Sequence, residues 1–505
     1  MSTASRGARG GAGDVADADP RRWLALGILT MMQFMLIMDV TVVNIALPNI
    51  QDDLDFSYEG LAWVVNAYVL TAGGFLLLGG RLADMFGRRR VFMLGVLIFG
   101  LSSAVCGAAM NSGTLVSGRF VQGLGEALAG PAALGLIPVL FKDSRERMKA
   151  LGIWGGMAAL GGAVGSVVGG LVTDLVNWRW IFFINIPVAL FALIMAPRVM
   201  SESKMTGSNR KIDAVGAIGV TAGLVAIVYG LLEAAEEPWG SNEVLVPLLA
   251  GIGLLMLTVL WETRQSDPMI PLRFFANRTR VTSNVVSVAS LAAFYTYAFL
   301  LTLFLQQVLD YSPLKTGLAY IPLTLAMGTG MAVSTMLMPR IGVKAVLLLA
   351  FLGSAVGLVV ASNLDTDASY VSGVMPGLLV YGFFNALGYP ALINGALHQV
   401  TGQDSGLASG VQTAMQQVGA ALGLATLVPL ALRYVDDKVG EGILPAIAQS
   451  DGYGLSLRVA AGVLVVAALL VLLLLEKVET KPRNALAESA EEAAAAGRST
   501  SGANQ

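Results

Sequence analysis

The stretch GGRLADMFGRRR, residues 79–90, decides how the rest of the chain is read. It sets Gly80, Asp84, Gly87 and Arg88, followed by two more arginines, between two long apolar runs. Arginines clustered beside a membrane helix stay on the cytoplasmic side. A charge anchor needs only the arginines. The glycines add tight turning and close helix approach. Asp84 adds an acid able to face a helix N-terminus or the adjacent cations.

The runs on either side belong to a series that recurs from Trp23 to Leu475. Of the 505 residues 55% are hydrophobic and 13% charged, against about 25% charged in a soluble domain. Mean hydropathy is +0.70. Apolar runs of this length read as membrane helices, so the chain is an integral membrane protein with the lipid bilayer as its solvent. A net charge of −2 suggests no nucleic acid and no acidic partner. One cysteine, Cys106, and one histidine, His398, exclude a disulfide framework and argue against a metal site. Residues 1–22 are rich in Gly, Ala, Ser and Asp and lack the short apolar core of a cleavable signal. The first span is expected to insert and stay.

The pattern predicts fourteen spans, at 23–47, 61–80, 91–110, 114–140, 150–172, 179–197, 213–233, 244–261, 282–308, 315–338, 343–361, 371–396, 406–432 and 455–475. With both termini cytoplasmic, 26 of the 32 Lys and Arg fall on the inner side, while acidic stretches such as DDLD at 52–55 fall outside. An odd span count would break that alternation.

The chain also resembles itself. LDFSYEGLAW at 54–63 matches LDYSPLKTGLAY at 309–320, GLGEALAGP at 123–131 matches GFFNALGYP at 382–390, and MFGRRRVFML at 85–94 is echoed by RIGVKAVLLL at 340–349. The predicted organisation is an N-terminal tail (1–22), a six-helix half (23–200), a linker with two extra helices (201–280), a second six-helix half (281–476) and a low-complexity tail (477–505) expected to be disordered.

GGRLADMFGRRR resembles the cytoplasmic signature loop of the major facilitator superfamily, which in that family latches the two halves. SGRFVQGLGEALAGP at 117–131 resembles the family's Arg-x-x-Gln-Gly motif through Arg119, Gln122 and Gly123. Gly165, Ser166, Gly169 and Gly170 resemble its antiporter motif, with Ser166 where proline is expected. Small residues at that spacing also serve plain helix packing. MDVTVVNIALP at 38–48 and NWRWIFFINIP at 177–187 are similar to the fourteen-helix drug:proton antiporter branch. The resemblance implies an all-α membrane fold of 6 + 2 + 6 helices in the cytoplasmic membrane, working as a monomer by alternating access. It implies efflux of small amphipathic or cationic drugs or antibiotics, driven by protons, with the proton gradient in place of any cofactor. It further implies a central cavity lined by spans 1, 4, 9 and 12. The candidate walls are Gln122, Phe294, Tyr297, Tyr381, Asn385 and Tyr389.

Asp39 is the one charge in the 25 residues from Trp23 to Leu47. A charge in the bilayer centre costs about 2.5–3.5 kcal/mol on insertion scales, so Asp39 should face the cavity and have a partner. Arg119 and Glu126 sit seven residues apart, on one face of span 4, with Asp39 between them in depth. The three are the candidates for proton coupling and sensing of substrate charge. Arg119 could instead snorkel to the outer surface, and Asp39 could merely pin span 1. A membrane enzyme usually needs paired histidines, a Ser-Lys pair or an aspartyl dyad, and one histidine, one cysteine and no membrane lysine argue against it. The missing proline at 166 leaves open a facilitator-fold carrier for a specific metabolite.

Overall fold

The computed structural model describes residues 21–203, 213–234, 237–265, 272–367, 369–400 and 405–476. These are helical throughout, without a strand among them. The chain begins with α1 (Arg22–Leu54), α2 (Tyr58–Phe86), α3 (Arg88–Gly107), α4 (Ser112–Leu140), α5 (Ser144–Leu175), the short α6 (Trp180–Phe183) and α7 (Asn185–Val199). Two further helices follow, α8 (Ala214–Glu233) and α9 (Asn242–Arg264). Then come α10 (Arg278–Leu303), α11 (Pro313–Ala319), α12 (Ile321–Ala361), α13 (Met375–Ala396), α14 (Ser405–Gly440) and α15 (Pro445–Leu474). The tails at 1–20 and 477–505 and the 204–212 loop lie outside the described residues.

Thirteen helices among the described residues are long and apolar enough to cross a membrane. The expected fourteen differ at one place. Spans expected at 315–338 and 343–361 run together from Pro313 to Ala361, broken only where Gly342 turns out of helical geometry at φ 82°. The signature stretch behaves in the same way. Instead of a loop, α2 continues to Phe86 and α3 starts at Arg88, and Gly87 alone makes the bend at φ 108°. Only glycine takes such a φ without strain, and one residue is enough to reverse a helix.

The sequence repeat carries the same local physics in both copies. Asp55 and Asp310 are both left-handed, at φ 51° and 53°, a region short polar side chains tolerate. Ser57 and Ser312 then each cap the next helix, accepting from the backbone N–H of Gly60 and Lys315. Gly87 and Gly342 make the two bends.

Association of apolar helices in lipid rests on close packing, and glycine supplies it here. Gly79 of α2 lies against the Ala127 carbonyl of α4, and Gly95 of α3 lies where a Cβ would stand 2.5 Å from the Ala129 nitrogen of the same helix. In the second half α13 takes α4's position: Gly330 and Gly357, one on each side of the Gly342 break, pack on Phe383 and Tyr381.

Helices of the first half meet those of the second at both ends of the bundle. At the end of the bundle holding Asp53 and Trp178, Gly170 of α5 packs on the Pro313 carbonyl and Gly317 of α11 on the Ser166 carbonyl. Nearby, Gln306 Nε2 donates to the Ile45 carbonyl at 2.8 Å and Gln307 Nε2 to Gln51 Oε1 at 3.2 Å. Nearer the Arg88 end, Gly73 and Leu77 of α2 pack on Gln417 and Gly410 of α14. Helix α8 packs against both α2 and α14. Arg433 of α14 donates to the Ala234 and Glu237 carbonyls at the end of α8.

Candidate functional site

Asp39 lies midway along α1, just ahead of a turn where Thr41 and Asn44 fold back on their own helix through the carbonyls of Ile37 and Val40. Its carboxylate is 1% exposed, and three side chains from two other helices donate to it. Arg119 Nη1 of α4 donates to Oδ2 at 2.6 Å. Gln122 Nε2, one turn further along α4, donates to Oδ1 at 3.0 Å. Asn185 Nδ2, at the first residue of α7, donates to the same Oδ1 at 2.7 Å. Ser103 of α3 accepts from Gln122 at 2.8 Å and from Asn185 at 3.4 Å.

Arg119 is fully buried, so it does not snorkel. Besides Asp39 it donates from Nη1 to Gln122 Oε1 at 2.6 Å and from Nε to the Val64 carbonyl at 2.9 Å. The Tyr68 ring lies under its guanidinium at 4.2 Å and the Phe182 ring at 5.9 Å. Charge, hydrogen bonds and π faces replace most of its hydration, while its Nη2 has no hydrogen-bond partner. Asp39 has the partner expected of it but does not open to a cavity, because Gln122, Asn185 and Ser103 close over it. Gln122, expected on a cavity wall, is fully buried in the same network.

Glu126 differs. It lies two turns beyond Arg119 on α4 and is only partly buried, and its Oε2 has no hydrogen-bond partner. Asp39, Arg119 and Tyr68 are within electrostatic reach, and so is Tyr295 of α10 in the opposite half. An acid so placed can hold a proton or a cation.

The aromatic candidates divide in two. Tyr297 and Tyr381 are buried inside the second half with ring centres 4.7 Å apart, so they pack on each other, and Tyr297 borders a small crevice with Leu301, Ala361 and Leu457. Asn385 is also buried and donates to Ser290 and to the Tyr381 hydroxyl. Phe294 and Tyr389 are partly exposed, and Tyr389 donates to Gln416 Oε1 at 3.0 Å.

The signature residues form a bracket at the opposite end from Trp178. Arg88 donates to Asp84 Oδ1 from Nε and Nη2 at 3.1 and 2.9 Å, and from Nη1 to the Gly135 carbonyl of α4 at 2.7 Å. Glu202 accepts from the Arg89 backbone N–H, and a side chain at Gly87 would collide with it. These bonds join α2, α3, α4 and the segment after α7, all within the first half. Gly80 has only Pro131 near it, at 3.7 Å, and Gly79 makes the close approach.

In α5 the motif glycines face two ways. Gly165 and Gly169 sit against Met38 and Val42 of α1, on either side of Asp39 in sequence, while Ser166 and Gly170 sit against α11 of the second half. Ser166 Oγ donates to the Ala163 carbonyl at 3.0 Å within an unbroken helix.

Sequence reasoning missed Asn185, Ser103 and Tyr68. Asn185 stands inside NWRWIFFINIP, where the tryptophans drew the reading. An asparagine inside an apolar span, two residues ahead of Pro187, is the signal that could have found it.

A sequence profile of the Major Facilitator Superfamily matches residues 29–424. The puromycin resistance protein pur8 of Streptomyces alboniger is 39% identical over 91% of this chain and 92% of its own length. The lincomycin resistance protein of Streptomyces lincolnensis is 38% identical over 84% and 88%. The cephamycin export protein CmcT of Amycolatopsis lactamdurans is 33% identical over 85% and 94%. Among solved structures, the inward-open xylose transporter XylE from E. coli shares the fold at a TM-score of 0.60, with 15% identity over 91% of this chain and 98% of that one. An all-helical multi-pass chain, a profile across most of its length and relatives matched nearly end to end carry one conclusion: the chain belongs to the major facilitator superfamily of transporters.

Proposed function

We propose that this protein exports amphipathic drugs or antibiotics, cationic ones included, across the cytoplasmic membrane in exchange for protons, by alternating access. The single observation that carries the reading is the Asp39–Arg119 pair, with neither side chain open to solvent. A buried pair that only braces the fold gains little over apolar side chains of the same shape. A carboxylate that must gain and lose a proton cannot be replaced in that way. The resistance and export functions named for the relatives support the substrate class.

In this reading both termini and the Arg88 end are cytoplasmic. Fourteen spans arise by counting the two sides of Gly342 separately, as six, two and six. The halves are 23–200 and 281–476, and 201–280 links them. Asp39 carries the proton, Arg119 sets when it is released, and Glu126, with its unpaired Oε2, receives the substrate's positive charge or a second proton. Phe294, Tyr389 and Tyr295 border that position from the second half. Asp84 and Arg88, with Gly80 and Gly87, control the conformational exchange. The proton gradient replaces a cofactor, and one chain suffices.

Ser166 in place of proline favours a second reading, a carrier for one metabolite without antiport. One experiment separates them. In cells stripped of their own exporters, expression should lower accumulation of a lipophilic cationic dye, and a protonophore should restore it. Dye levels indifferent to both expression and protonophore would favour the metabolite carrier.

A further inference from the structure

Asp39 Oδ1 receives two donors and Oδ2 one, and all its lone pairs on the protein side face N–H groups. That shell suits the charged form. A protonated Asp39 carries an O–H and needs an acceptor, so one donor must give way. Protonation at Oδ2 would set the new hydrogen against the Arg119 guanidinium, so the proton goes to Oδ1. Gln122 cannot turn its amide toward it. Its Oε1 is held by Arg119 at 2.6 Å and its Nε2 by Ser103 at 2.8 Å, and rotation would break both along with its bond to Asp39.

Asn185 is different. Its Nδ2 donates to Asp39 at 2.7 Å, yet its Oδ1, equally buried, has no hydrogen-bond partner. A half-turn of the amide would bring that free oxygen to the Asp39 O–H. It would also put that oxygen where Nδ2 now stands, 3.4 Å from Ser103 Oγ, whose hydroxyl can donate to it, and would carry Nδ2 to the place Oδ1 holds now. We infer that Asn185 is a two-position amide switch that donates to Asp39 when it is ionised and accepts from it when it is protonated, so that α7 senses the proton. Asparagine suits this because its ends are a donor and an acceptor of nearly equal size. Asn185 stands two residues ahead of Pro187 in a helical stretch that runs on from Trp180 to Val199, so its amide belongs to the span that is to sense the proton. The other charged or titratable groups facing Asp39 are Arg119 and Glu126 of α4, Tyr68 of α2 and Cys106 of α3. Arg119 and Glu126 fix the field around the carboxyl, and the groups bonded to Oδ1 are Gln122 and Asn185, not any of these four. Asn185 acts through Asp39, as a positioning residue, and the inference rests on Asp39 being the proton carrier proposed above.

The test is infrared difference spectroscopy of the full-length protein in lipid, titrated from alkaline to acid pH. The protonated-carboxyl band of Asp39 is the one lost in Asp39→Asn. In Asn185→Leu, which has no acceptor, that band should move to higher wavenumber. Asn185→Ser, which keeps a donor and acceptor in one hydroxyl, should hold it near the wild-type position. Proton-driven accumulation of substrate should fall about tenfold in Asn185→Leu, the scale of one strong hydrogen bond, while downhill movement continues. If Asn185→Leu does not assemble, Asn185→Ala removes the same acceptor and carries the same expectation. A band that stays in place in Asn185→Leu and Asn185→Ala overturns the switch but leaves Asp39 as carrier. No band lost in Asp39→Asn overturns both.

Discussion

Asp39 and Arg119, 80 positions apart in sequence, form a 2.6 Å ion pair with neither side chain exposed by more than 1%. Removing one partner alone strands the other charge in a medium that cannot solvate it, at a cost of about 3–5 kcal/mol. Arg119→Ala should therefore lower the thermal stability of the purified protein sharply. Asp39→Asn with Arg119→Ala should cost less than the two single changes added together. A double-mutant cycle on melting temperature measures the coupling, and strict additivity would mean that the pair is not coupled.

Gly79, beside Gly80, makes the contact between α2 and α4. Its missing side chain lets the Ala127 backbone carbonyl approach. Gly79→Val should cost about 1–3 kcal/mol through overpacking, visible as lost monodisperse protein in size-exclusion chromatography. Gly80→Ala, with its nearest neighbour at 3.7 Å, should elute as the wild type does. Equal damage from both would mean that the α2–α4 contact is looser than described.

Much of this was legible in the sequence, and the limits have physical causes. Depth along a helix follows from counting residues at about 1.5 Å each, so the level of Asp39 between Arg119 and Glu126, and the pairing with Arg119, could be read. Rotation about the helix axis could not be read for helices apolar on every side. Gln122, Tyr297 and Tyr381, expected around a cavity, face the interior of their own half instead. The donor from α7 was hidden for the same reason, since no spacing relates Asn185 to Asp39. The boundaries near Gly87 and Gly342 could be read, but not that one glycine makes each bend with the helices running up to it on both sides.

Asp84 is the acid of the Arg88 bracket, and its side chain is partly exposed at the rim. Asp84→Asn should keep the protein in the membrane and bind substrate with ordinary affinity, yet slow transport strongly, because the bracket holding α2, α3 and α4 together loses its charge. Turnover measured beside equilibrium binding decides the matter. Unchanged turnover would reduce the stretch to an anchor.

Cys106 is buried, so it should not react with an impermeant thiol reagent. A cysteine at Ser208, outside the described residues, should label only after the cell is opened. Ready labelling in intact cells would invert the proposed orientation.

The central claim is that a proton taken up by Asp39 drives export. Inside-out vesicles carrying the purified protein, with an acid interior, test it most directly. Wild-type protein should concentrate a labelled cationic substrate inside, and adding substrate without an imposed gradient should alkalinise the interior as protons leave. Asp39→Asn, present in equal amount, should do neither while still binding substrate. If Asp39→Asn accumulates substrate against its gradient as the wild type does, the proton is carried elsewhere and the account is wrong.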